Sequence, residues 1–73
     1  MKRDHETLQT VGEALYGALW QSPLARDVGV AVRTMQRWAA GEFAIPDGIW
    51  PELATLCRQR GKTLEKLAER LSG

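Results

Sequence analysis

Residues 21–41 read QSPLARDVGVAVRTMQRWAAG. A tight pair of helices meeting across a short turn needs a glycine where the backbone takes an angle that a β-carbon resists, and Gly29 stands there. The close crossing needs a small residue in the first helix, which Ala25 supplies. Apolar side chains must then point inward from both arms: Leu24 and Val28 from the first, Val30 from the turn, Met35 and Trp38 from the second. Pro23 fits the first turn of a helix over Gln21–Val28, where a missing N–H does no harm. A second helix follows from Val32 to Ala40, with Gly41 as its stop.

This stretch resembles the helix-turn-helix of the lambda repressor/Cro-like family of bacterial and phage regulators. Gln21, Leu24, Ala25, Gly29, Val30, Thr34, Met35, Trp38 and Gly41 carry the likeness. Two features depart from it: Ala31 replaces the Ser or Thr that often caps the second helix, and Pro23 is unusual. The resemblance implies a transcriptional regulator that reads double-stranded DNA, commonly one that represses its own operon in a phage or prophage. It also gives Gln21 a contact to backbone phosphate.

The reading face follows from helical periodicity. Burying Met35 and Trp38 leaves Val32, Arg33, Gln36, Arg37 and Ala40 outward. Arginine pairs bidentately with guanine, glutamine with adenine, and a valine methyl packs on thymine. Val32, Arg33, Gln36 and Arg37 are therefore the expected base-reading residues.

Working outward, glycines and prolines divide the rest into helical pieces with no period-2 strand pattern. Leu8, Val11, Leu15, Ala18 and Leu19 form the apolar side of a first helix, capped by Asp4 or Thr7 and ending near Trp20. After a connection at 42–46, Asp47 is expected to cap a fourth helix to about Arg60, with Ile49, Leu53, Leu56 and Cys57 on one face and Gly61 as its end. Thr63 would cap a fifth, over 63–72, carrying Leu64, Leu67, Ala68 and Leu71. The expectation is all-α: one compact five-helix helix-turn-helix domain over 1–73. Trp20, Trp38 and Trp50 read as core anchors rather than base-stacking platforms, and Cys57 as a small core residue.

Length limits what such a domain does alone. At 73 residues it buries only ~60 % of the surface its unfolded chain exposes, and one recognition helix reads few bases. A homodimer on an inverted repeat answers both, with its two reading helices about 34 Å apart. Leu64, Leu67 and Leu71 are either the dimer seam or part of the chain's own core.

Lys and Arg number 10 against 9 Asp and Glu, a formal net charge of +1. That near-neutrality counts against nucleic acid until it is resolved by segment. Arg26, Arg33 and Arg37 outweigh Asp27 in residues 21–41, for +2; residues 58–73 carry +3, residues 1–20 carry −1 and residues 42–57 carry −3. Arg58, Arg60 and Lys62 are candidate phosphate contacts, or else charges that favour the negative end of the fourth helix. With so little overall attraction, non-specific binding would be weak and salt-sensitive, which again favours two subunits.

Other function classes find little support. The lone Cys57 makes no intrachain disulfide, His5 has no partner spaced for a metal, and no apolar run approaches the ~20 residues of a membrane span. Asp4, His5 and Glu6 interrupt any signal-peptide start, so a cytoplasmic protein is expected. No nucleophile stands beside a base, no carboxylates pair, and no phosphate loop occurs, so neither catalysis nor a cofactor is expected. The competing function is a protein-interaction module on the same scaffold, such as an antitoxin or a phage-encoded inhibitor. Interfaces favour aromatic and apolar anchors, whereas the outward face here is Arg-Gln-Arg with one Val.

Overall fold

The computed structural model describes residues 2–73. Four helices make up the described chain: α1 (His5–Tyr16), α2 (Gln21–Val28), α3 (Val32–Ala39) and α4 (Ile49–Ser72). The architecture is all-α, with four helices where the sequence pattern implied five.

Of the two candidates, Asp4 caps α1: its carboxylate accepts a 2.9 Å hydrogen bond from the Thr7 N–H. That bond holds the Asp4 carboxyl below the usual carboxylate range. The helix ends four residues sooner than Trp20, at Tyr16, and is closed by Gly17, whose φ is +84° and whose N–H donates to the Glu13 carbonyl. Ala18 and Leu19 are consequently not on its apolar face but in an exposed turn, with Leu19 87 % exposed. The early stop lets the chain double back and bury Trp20 directly over Gly12.

α2 starts immediately, with Pro23 in its first turn, and stops at Gly29 in the left-handed region (φ +77°). The Gly29 N–H reaches the Arg26 carbonyl and the Val30 N–H the Ala25 carbonyl. This paired closure satisfies carbonyls that a helix end leaves orphaned. It recurs after α3, where the Gly41 N–H donates to Trp38 and the Glu42 N–H to Arg37. α2 and α3 are thus joined by a three-residue turn and pack on one another.

The largest correction concerns the C-terminal third. Gly61 does not end a helix; α4 runs through it for 24 residues, about 36 Å at 1.5 Å per residue. Gly61 is not among the positive-φ glycines. In the helical region it costs ~1 kcal/mol relative to Ala, too little to stop a helix flanked by Arg60, Lys62, Leu64 and Glu65. Thr63 is accordingly not a cap, and its hydroxyl donates to the Gln59 carbonyl one turn back. Residues 63–72 are the distal part of α4 rather than a separate helix. Asp47 is not the cap of α4 either; that position is Gly48, which has no side chain to offer, and the Asp47 carbonyl instead accepts from the Trp50 N–H.

The core is Leu8, Leu15, Trp20, Leu24, Ala25, Met35, Trp38, Ile49, Trp50 and Leu53. All three tryptophans anchor it. Cys57, expected inside, is exposed, because the domain's own helices cover α4 only along its first turns. Beyond Gly61 every residue of α4 is exposed. The projecting rod accounts for dimensions of 47 × 22 × 19 Å. Among the described residues no helix is long and apolar enough to cross a membrane.

Candidate nucleic-acid interface

α3 sorts its side chains as its periodicity requires. Met35 is fully buried and Trp38 nearly so, while Val32, Arg33 and Gln36 are exposed. Arg37 is half-buried because its guanidinium lies over the Phe43 ring, 5.0 Å from the centroid. Phe43 itself is half-exposed. Arg33, Gln36, Arg37, Ala40 and Glu42 line one shallow concavity. Three of the four expected base-reading residues therefore share a recess, with Val32 exposed at the start of the same helix.

No side chain caps α3, since Ala31 occupies the cap position. The anchoring of this helix comes from packing: Met35 and Trp38 insert into a core built from α1 and α2. Gln21 is the first residue of α2 and half-buried.

The expected phosphate-contacting trio does not form one cluster. Arg58 and Lys62, four apart on α4, share one side of it, whereas Arg60 falls almost opposite. Its Nη1 donates a 2.6 Å hydrogen bond to the Leu15 carbonyl. The same guanidinium lies 5.4 Å from the centroid of the Tyr16 ring. Arg60 thereby satisfies a carbonyl at the end of α1 and ties that end to α4. Leu64, Leu67 and Leu71 are 58 %, 46 % and 88 % exposed, so they take no part in the chain's own core.

Two further contacts join residues that no helical periodicity relates. Phe43, the partner of Arg37, sits six residues beyond it in a connection, where no helical period marks it. Tyr16 donates a hydrogen bond to the Asp27 carboxylate, linking α1 to α2. Burial, and then this bond, push the Tyr16 phenol up to about 12. Asp27 also lies 3.8 Å from the exposed Arg26 guanidinium. Among the described residues no group of His, Cys, Asp or Glu is placed to hold a metal ion.

Two helices across a glycine turn, with a polar, arginine-bearing face on the second, define a small regulatory protein of helix-turn-helix type. The family model for Aca2/YdiL-like proteins matches residues 5–73, and the chain belongs to that family, one of helical, helix-turn-helix-type anti-CRISPR-associated regulators. The match supports the helix-turn-helix regulator class that the sequence implied; it does not assign the lambda repressor/Cro-like family. Neither the curated proteins nor the solved structures contain a significant match.

Proposed function

We propose that this protein is a sequence-specific regulator of transcription that reads the major groove of double-stranded DNA with α3, as a homodimer on an inverted repeat. The observation that carries the reading is the division of α3. Met35 and Trp38 fix it to the core, and Val32, Arg33, Gln36 and Arg37 remain outward on a helix that directly follows the turn. Arginine and glutamine are the side chains whose donors match guanine and adenine edges in that groove. Gln21, at the start of α2, and Arg58 and Lys62, on one side of α4, supply contacts to the phosphate backbone.

Repression follows from where such a dimer sits: bound over a promoter, ideally that of its own gene, it excludes polymerase. The deciding experiment is a mobility shift on the DNA upstream of its own gene, with random-sequence duplex as competitor at fixed salt. A shift that survives at least a hundredfold excess of random duplex supports the reading. Equal displacement by both duplexes, or no shift, rejects it and leaves the protein-interaction module standing.

A further inference from the structure

Phe43 is brought over α3 by the way that helix ends. The Gly41 N–H donates to the Trp38 carbonyl at 3.1 Å and the Glu42 N–H to the Arg37 carbonyl at 3.0 Å. This closure folds the chain back across the last turn of α3 and delivers the next side chain there. Gly41 takes the left-handed backbone that the closure needs, with φ at +76°. The His5 ring backs it, with Nδ1 3.2 Å from where a Cβ would stand. Two residues past Phe43, Ile45 is half-buried against the core. The connection is thus fixed on both sides of Phe43, yet Phe43 itself is 51 % exposed.

What the ring meets is the Arg37 guanidinium, 5.0 Å from its centroid. Arginine rests on an aromatic face while its planar fork of donors stays available to a second, bidentate partner. Among the described residues no carboxylate comes within ion-pair distance of that fork. Arg33 lines the same recess one turn earlier, and among the described residues it has no ring beneath it. The contrast matters because arginine has much rotamer freedom to lose when it locks onto a base. A guanidinium already resting on a ring has lost part of that freedom before DNA arrives.

We infer that Phe43 is a positioning residue for base reading: it holds Arg37 where the guanidinium edge meets a guanine, and so sets how sharply the protein discriminates at that one base pair. The inference rests on base reading by α3, as proposed above. Phe43 acts through Arg37 and needs no DNA contact of its own.

The test uses the duplex from upstream of the protein's own gene and its single-base-pair variants. Arg37→Ala marks the base pair whose discrimination it abolishes. Phe43→Leu keeps an apolar side chain and removes the π face. It should lower discrimination at that base pair by about 2–30-fold, the range of a cation–π contact from exposed to desolvated, and leave the other positions unchanged. Phe43→Tyr should retain the discrimination. In an Arg37→Ala background, Phe43→Leu should change nothing further. In the free protein, the Arg37 Nε–H should show the ring-current shift of a neighbouring phenyl and be more rigid on the nanosecond timescale than that of Arg33. Phe43→Leu should remove both signatures. A loss spread over every base pair, a loss that persists without Arg37, or an Arg37 as mobile as Arg33 in the parent overturns the inference and leaves base reading by α3 standing. A parent chain with no sequence-selective binding overturns that reading, and this role with it.

Discussion

The indole of Trp20 packs directly on the backbone of Gly12, so closely that a Cβ added at residue 12 would stand 2.2 Å from Cε3. Trp20 is 3 % exposed and has no room to withdraw. Gly12→Ala is therefore expected to destabilise the domain by about 1–2 kcal/mol, an overpacking cost of about 2–3 kcal/mol for so close an approach to a rigid ring less the roughly 1 kcal/mol that alanine gains in a helix. In a domain of this size the melting temperature should fall by about 4–8 °C for each kcal/mol. A variant as stable as the parent would mean that Trp20 is not seated there.

Gly61 should respond in the opposite sense. A Cβ there meets nothing within 4 Å, and the residue lies inside α4 rather than at its end. Gly61→Ala is expected to raise stability by about 0.5–1 kcal/mol with a gain in ellipticity at 222 nm. Had Gly61 ended a helix in the left-handed region, the same change would destabilise; thermal unfolding followed by circular dichroism separates the two.

The arginines of α3 and α4 should part company on DNA. Arg33→Ala or Arg37→Ala is expected to cost ~1–3 kcal/mol on the cognate duplex and little on random sequence. Gln21→Ala should weaken both alike. Arg58→Ala and Lys62→Ala should each lower the salt slope by about 1. Arg60→Ala, by contrast, should leave that slope unchanged and reduce folding stability by about 1 kcal/mol, because its guanidinium already serves the Leu15 carbonyl. Binding isotherms at several salt concentrations, beside urea melts, distinguish these roles.

Alkaline pH should loosen the junction of α1 and α2. The Tyr16 phenol is pushed up to about 12, by burial first and then by its bond to Asp27, above the value near 10 of an unfolded chain. A raised folded-state value stabilises fully below pH 10, and that contribution is lost as pH climbs towards 12. Tyr16→Phe should flatten this part of the stability curve, measured by denaturant melts between pH 9 and 12. A parallel decline in both proteins would place the alkaline sensitivity elsewhere.

How far the sequence sufficed depends on what each residue needed. Met35, Trp38 and the outward set on α3 are legible because a helix of eight residues with two buried anchors leaves little freedom. Gly29 and Gly41 are legible as stops, since each directly follows a strongly amphipathic segment. Gly17 and Gly61 are not separable by such rules. Both follow a helical run, yet Gly17 ends its helix because burying Trp20 over Gly12 demands a reversal, a contact made by tertiary packing alone. At Gly61 nothing demands one. Cys57 is exposed for a related reason: helical spacing shows which side of α4 is apolar, but not how far along it the domain reaches. The pairing of Arg37 with Phe43 leaves no periodic trace.

The unbroken passage of α4 through Gly61 leaves the molecule without a hinge. The head that carries α3 and the rod that carries the leucines turn as one body, fastened by Arg60 at the point where the rod leaves the head. In the homodimer proposed above, a body without a hinge would hold each copy of α3 at a fixed place relative to its own α4. Inserting one base pair between half-sites rotates one of them by about 35° around the duplex, and such a pair would have no slack to follow. The proposed mode of binding would therefore exchange tolerance of operator spacing for an association in which little freedom remains to be lost on binding.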